Sequence, residues 1–183
     1  MSDDYLRDVT VGGPPPEYQD VVLADYDPIW PHWFESAADR IRQALGDTAL
    51  ELHHVGSTSV RGLAAKPLID IDLVVPDTTD EAAYVPPLEA IGYVLRIREP
   101  DWHEHRVLKG TDPKVNLHVF SPGCPEVERM LLFRDHLRRD ARDRDLYERT
   151  KRELAQREWK YVQHYADAKS DVVEEILARA GAA

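Results

Sequence analysis

Leu68-Ile69-Asp70-Ile71-Asp72-Leu73-Val74-Val75 decides the fold: two acids interrupt an otherwise unbroken apolar run. Side chains reverse face at each residue of a strand, so Asp70 and Asp72 share one face, with Cα atoms about 6.6 Å apart, while Ile69, Ile71 and Leu73 share the other. A run this apolar predicts a central strand. There a covered acid pair is costly without a cation, whereas Mg²⁺ commonly takes one or two carboxylates together with phosphate oxygens and water. A solvated strand face is the plain alternative, and Asp-x-Asp alone is a common pattern.

Working outward, Leu50 to Val55 reads as a strand that enters Gly56-Ser57-Thr58-Ser59, a turn expected to open a short helix through Ala64-Ala65 before Pro67. A glycine-serine turn between strand and helix can point backbone N–H groups at a phosphate, with the Ser57 and Thr58 hydroxyls as further donors. An ordinary helix cap is the competing reading. Upstream, Asp27-Pro28 predicts a helix start, with Trp30, Phe34, Ala37, Ile41 and Leu45 at helical spacing and Gly46 as its stop. Downstream, a helix is expected from about Asp80 to Ile91. Strands then follow at Glu104 to Leu108 and Val115 to Phe120, joined by Gly110-Thr111-Asp112-Pro113 in a hairpin without a two-residue turn. Helices are expected near 125–139, 143–164 and 168–180. The fold class is therefore α+β (mixed α/β), a sheet flanked by helices. Residues 1–19, with Gly12-Gly13-Pro14-Pro15-Pro16, read as a tail or strap with little structure of its own, and 20–183 as one domain whose C-terminal part, 125–183, is helical.

The chain has 183 residues, 23 Lys+Arg against 34 Asp+Glu and a net charge of −11. At 43% hydrophobic residues it can bury a sizeable core. No apolar run approaches the roughly 20 residues of a membrane helix, and Met1-Ser2-Asp3-Asp4 is acidic where a signal peptide would be basic, so a cytoplasmic protein is expected. Cys124, the only cysteine, excludes an internal disulfide and a cysteine zinc cluster. The acidic total argues against a nucleic-acid partner bound by bulk charge.

The minority charge is clustered. Ten of the 23 basic residues lie between Arg129 and Arg157. Arg134 and Arg138, four apart, share a helix face and could grip a phosphate, while the outer arginines read as a solvated face paired with neighbouring acids. Lys66 and Lys169 are secondary phosphate candidates, with Arg61 behind them. His103, His105 and His118 could hold zinc as a trio, although packing or surface roles are the simpler reading. Trp30, Trp33 and Phe34 are expected to pack against Trp159, Tyr161 and Tyr165 across the N- and C-terminal helices.

His54-Val55-Gly56-Ser57-Thr58-Ser59-Val60, followed by Gly62-Leu63-Ala64-Ala65-Lys66-Pro67-Leu68-Ile69-Asp70-Ile71-Asp72, resembles the signature of the GrpB family. That family is a branch of the nucleotidyltransferase superfamily, also found as the C-terminal domain of some dephospho-CoA kinases. Asn116-Leu117-His118-Val119-Phe120, Phe133-Arg134-Asp135-His136-Leu137-Arg138 and Tyr165-Ala166-Asp167-Ala168-Lys169 agree in order. The resemblance implies a nucleotidyltransferase-like sheet on which Gly56 and Ser57 cradle phosphates, Asp70 and Asp72 hold Mg²⁺ or Mn²⁺, and a third carboxylate follows on a later strand. In that slot, Leu117-His118-Val119, this chain has histidine. His118 could act there as general base or orient the acceptor, with Glu104 as an alternative third acid. The implied reaction is Mg²⁺-dependent transfer of a nucleoside monophosphate from an NTP, first of all ATP, to a small-molecule acceptor, or adenylation of a carboxylate for ligation. A noncatalytic module binding a nucleotide or coenzyme A-like ligand is the alternative.

Overall fold

The computed structural model describes residues 1–181. In chain order the elements are α1 (Asp3–Val9), α2 (Trp30–Leu45), β1 (Glu51–Val55), β2 (Ile69–Val74), α3 (Glu81–Ala90), β3 (Val94–Glu99), β4 (His105–Thr111), β5 (Lys114–Phe120), α4 (Pro125–Arg139), α5 (Ala141–Ala155), α6 (Val162–Asp167) and α7 (Ser170–Gly181). The strands form one sheet in the order β1-β2-β5-β4-β3. β2 and β5 run parallel, and every other pair is antiparallel. This is the mixed α+β architecture that the alternation in β2 demands.

The alternation also divides the sheet chemically. Ile69, Ile71 and Leu73 join Leu117, Val119 and Leu108 in the main core, packed on Trp30, Ala37, Ile41 and Leu45 of α2 and on Tyr84 and Leu88 of α3. Each large side chain buried there contributes about 1.5–3 kcal/mol, and a one-residue slip of β2 would move the whole set to the wrong face. The register is therefore strongly set, with Asp70 beside Asn116 and Asp72 beside His118. All four of those side chains lie on the face away from α2 and α3. Helix α4 covers one end of that face through Val127, which meets Val74 and Phe120. A second cluster ties Val60 and Leu63, between β1 and β2, to Leu137, Tyr147 and Ile176 of the C-terminal helices.

Several local expectations are corrected. Strand β3 was not foreseen; it is the sheet's outer strand, carries Arg96 and Arg98 and has a bulge between Leu95 and Ile97, so its alternation is brief. Thr111 pairs with Lys114, which makes the β4–β5 connection a two-residue turn after all. Gly56-Ser57-Thr58-Ser59 opens only a 3₁₀ turn over Ser57–Ser59, not a helix through Ala65. Ala65 instead bridges Ala24 by paired backbone hydrogen bonds of 2.8 and 2.9 Å. The single late helix expected over 143–164 is broken between Ala155 and Val162, where Tyr161 is buried. Residues 3–9 form a helix because Ser2 Oγ caps it by accepting from the Tyr5 N–H at 3.2 Å and because Leu6 and Val9 bury their side chains. The two aromatic groups lie apart: Trp30 is in the main core, whereas Trp159 and Tyr165 pack with Val21 and Leu154. No helix among the described residues is long and apolar enough to cross a membrane.

Candidate functional site

Gly56 ends β1 with φ 66° and ψ −175°, a conformation close to glycine-only. A Cβ there would run into the Asp70 carboxylate and stand 3.0 Å from Asp70 Cβ. The glycine thus lets the β1–β2 connection close over the first acid, which Asn116 Nδ2 holds by donating to Oδ1 at 3.0 Å. Burial opposes ionisation of Asp70, but His118, Asn116 and Lys66 more than offset it and keep the carboxyl below its ordinary value. Asp72 is different. It is 0% exposed, and among the described residues both of its carboxylate oxygens lack a hydrogen-bond partner. Burial, with Asp70 and Glu126 adding repulsion, pushes it up to about 7. A buried carboxylate without a donor is rare and costly, and a cation beside it would remove the cost. The donor chemistry therefore fits a divalent ion held by Asp70 and Asp72.

His118, on β5 beside Asp72, places Nε2 3.7 Å from Asp70 Oδ1. Burial disfavours its charged form, yet Asp70 raises its pKa above the ordinary histidine value. Behind it, His118 Nδ1 lies 3.0 Å from His105 Nε2, and His105 Nδ1 lies 2.7 Å from Glu99 Oε2. The zinc trio is not assembled: His105 and His118 meet edge to edge, their ring centroids 5.2 Å apart, while His103 lies beside Trp102. Glu104 is turned toward Arg106, 3.2 Å away, and does not supply a third acid. Among the described residues, the group of metal-type donors lying within 4.8 Å of one another is His136, Asp140 and Asp143, not Asp70, Asp72 and His118. That group is already neutralised, because Arg179 donates to both oxygens of Asp143 at 3.0 and 2.7 Å.

The phosphate candidates separate into two kinds. Thr58 is buried and gives its hydroxyl proton to the Leu68 carbonyl, while His54 Nε2 contacts Thr58 Oγ1 at 3.0 Å, so the hydroxyl faces inward. Arg134 donates to the His54 carbonyl at 3.1 Å, and Arg138 donates twice to the Ser59 carbonyl at 3.1 and 2.9 Å. These arginines latch α4 onto the Gly56-Ser57 connection, which differs from the free phosphate grip the sequence suggested. The lysines are better placed. Lys66 and Lys169 stand 5.7 and 4.8 Å over the Tyr165 ring, within the field of Asp70. Lys151 donates to Ser57 Oγ at 3.0 Å and to the Ala64 carbonyl. Burial lowers the pKa of all three, that of Lys151 to about 7, and their partners are rings, a hydroxyl and a carbonyl rather than carboxylates. Tyr165 Oη, also buried, has no partner among the described residues. Lys151 was missed among the surface cations, although Tyr147, Lys151 and Leu154 recur at helical spacing and mark it as a cation inside the buried stripe of α5.

A mixed sheet with a Gly-Ser connection closing over an acid pair on the next strand is a nucleotidyltransferase-like fold. The Cid1 poly(U) polymerase in its MgGTP-bound crystal structure shares it, with a TM-score of 0.53 at 18% identity over 73% of this chain and 44% of that one. The chain belongs to the GrpB family, whose model, described as GrpB protein, matches residues 20–179. It is 60% identical over 181 residues to a UPF0157 protein of Halalkalibacterium halodurans, covering 99% of this chain and 93% of that protein. The crystal structure of the conserved protein GrpB from Enterococcus faecalis aligns with a TM-score of 0.74 at 30% identity, over 87% of this chain and 96% of that one. A dephospho-CoA kinase of Mycolicibacterium paratuberculosis is 32% identical over 164 residues, a match spanning 75% of this chain and 40% of the kinase.

Proposed function

We propose that the chain is a metal-dependent nucleotidyltransferase that moves a nucleoside monophosphate from an NTP, first of all ATP, to a small-molecule acceptor. Adenylation of a carboxylate for ligation is the same chemistry with another acceptor. The observation that carries this reading is Asp72: a fully buried carboxylate with no partner among the described residues, on the same strand face as Asp70, whose field reaches Lys66 and Lys169. Asp70 and Asp72 would hold Mg²⁺ or Mn²⁺. When bound, that ion neutralises phosphate charge and lowers the pKa of an attacking hydroxyl. Ser57 Oγ, Lys66, Lys151 and Lys169 bind the β- and γ-phosphates and stabilise the pyrophosphate that leaves as the acceptor oxygen bonds to the α-phosphorus. Gly56 keeps the connection close to Asp70, and Arg134 and Arg138 hold it in place from outside. The net charge of −11 supports a small acceptor over a nucleic acid. NTPs are cytoplasmic substrates, which puts the proposed reaction in the cytoplasm.

One observation favours a second reading: the position for a third acid carries His118, so a noncatalytic module that binds a nucleotide or coenzyme A-like ligand remains in competition. Incubation with α-labelled NTPs, Mg²⁺ or Mn²⁺ and a fractionated metabolite pool separates the two. Labelled product and pyrophosphate, both lost in Asp72→Asn, are expected. Metal-dependent nucleotide binding with no turnover in any fraction would instead establish the binding module.

A further inference from the structure

Four polar side chains run across the acid-bearing face of the sheet from its outer strand: Glu99 on β3, His105 on β4, His118 on β5 and Asp70 on β2. With Glu99 ionised, their hydrogen bonds admit one proton arrangement. Glu99 Oε1 accepts from Tyr5 Oη at 2.7 Å, and Oε2 meets His105 Nδ1 at 2.7 Å. Burial disfavours the Glu99 charge, but His105 and Tyr5 more than compensate and keep it ionised, so His105 Nδ1 must carry the proton. His105 is buried against Trp102 and Phe120, rings that offer a second charge nothing, so it donates from Nδ1 as a neutral imidazole and keeps a lone pair on Nε2. The 3.0 Å contact between the two imidazoles is then made by the His118 Nδ1 proton. His118 Nε2 is left aimed at Asp70 Oδ1, 3.7 Å away, with the unpartnered Asp72 carboxylate on the neighbouring position of β2.

An imidazole nitrogen and a carboxylate oxygen facing each other need a positive centre between them, either a proton or a metal ion. The ring is fixed for this task. It lies nearly coplanar with His105, at an interplanar angle of 10°, and His105 stacks in turn on Phe120 at 17°. A metal-ligating histidine usually donates its other ring N–H to a carboxylate, carbonyl or water; here His105, itself held by the Glu99 carboxylate, takes that place. We propose that His118 Nε2 is a metal ligand that joins Asp70 and Asp72, that Glu99 and His105 hold it in the ligating tautomer, and that the site consequently takes Mn²⁺ in preference to Mg²⁺. The inference rests on the proposed metal-dependent function and specifies its ion. Magnesium favours all-oxygen shells; imidazole suits the later first-row ions best, and Mn²⁺, which shares magnesium's preference for carboxylates, is the softer of the two and accepts a nitrogen ligand more readily. Asp72, which stands apart from the other two donors in the metal-free chain, completes the set directly or through water.

Mn²⁺ titrated into the chelator-treated chain tests this by electron paramagnetic resonance. One ion per chain is expected, and its pulsed spectrum should carry the nitrogen modulation of a directly bound imidazole. His118→Asp should retain Mn²⁺, lose that modulation and bring the Mn²⁺ and Mg²⁺ affinities at least tenfold closer. Glu99→Gln should weaken Mn²⁺ binding by about 10–100-fold. Mn²⁺ that binds without nitrogen modulation, yet is lost in Asp70→Asn, would overturn the His118 assignment and leave the proposed function standing. Failure of both Mn²⁺ and Mg²⁺ to bind in the presence of a non-hydrolysable NTP would overturn both.

Discussion

At the scale of single residues, the site depends on two unusual placements, a glycine against a carboxylate and a carboxylate against nothing. Gly56→Ala should destabilise the fold by about 1–3 kcal/mol, since it adds backbone strain and a contact with Asp70, and it should also weaken metal binding. Chemical denaturation and metal titration of the same variant check both outcomes. Histidine burial sets a separate pH dependence. His54, stacked 4.7 Å from Phe34, is pushed down to about 4 by burial, against about 6.5 in an unfolded chain. The unfolded state therefore takes the proton first, and the stability of keeping His54 neutral is full above about 6.5 and lost as pH falls toward 4. His105 acts in the same sense. The denaturation midpoint should fall from pH 7 to pH 4.5, and less steeply in His54→Gln; a midpoint constant over that range would contradict the assignment. Asp70, Asp72 and Gly56 were legible in the sequence because strand periodicity and a glycine-serine turn leave local marks. Glu99 was not, and His105 was read only as one of a zinc trio with His103 and His118, because the chain they form exists only once three strands are placed side by side.

At the scale of elements, the latch between α4 and the β1–β2 connection has no local mark either. The spacing of Arg134 and Arg138 showed a shared helix face but not what the face meets, and it meets the backbone carbonyls of His54 and Ser59. Arg138→Ala removes two of those hydrogen bonds; being partly exposed, it should cost about 1–2 kcal/mol. Its larger effect should be on the connection itself, seen as faster amide exchange over residues 56–64 and a weaker NTP affinity with Mn²⁺ binding unchanged. Unaltered exchange there would show that α4 does not hold the connection. The helices themselves were read well where an apolar stripe was continuous, as in α2 and α4. Strand β3 escaped because an outer strand with a bulge and two arginines keeps too short an alternation to stand out.

At the scale of the whole molecule, the sheet separates two tasks. One face, with α2 and α3, carries the main core; the other carries acids, imidazoles and amide, with the lysines of the β1–β2 connection and the C-terminal helices at its border. The acidic total of −11 argues only against a ligand held by bulk charge; locally, Lys151 is held at Ser57, and Lys66 and Lys169 lie in the field of Asp70. The sequence showed the acid pair and the family; which cations face it depends on how α5 and α7 return to the sheet, and Lys151 could only be singled out with that packing known. The most direct test is calorimetric titration of a non-hydrolysable ATP analogue into the intact chain with and without Mn²⁺, repeated in Asp72→Asn and Lys151→Ala. Binding that requires the metal, vanishes in Asp72→Asn and weakens at least tenfold in Lys151→Ala is the expected result. Binding that ignores both the metal and Asp72, or no binding by the folded chain, would contradict a metal-bound nucleoside triphosphate on this face.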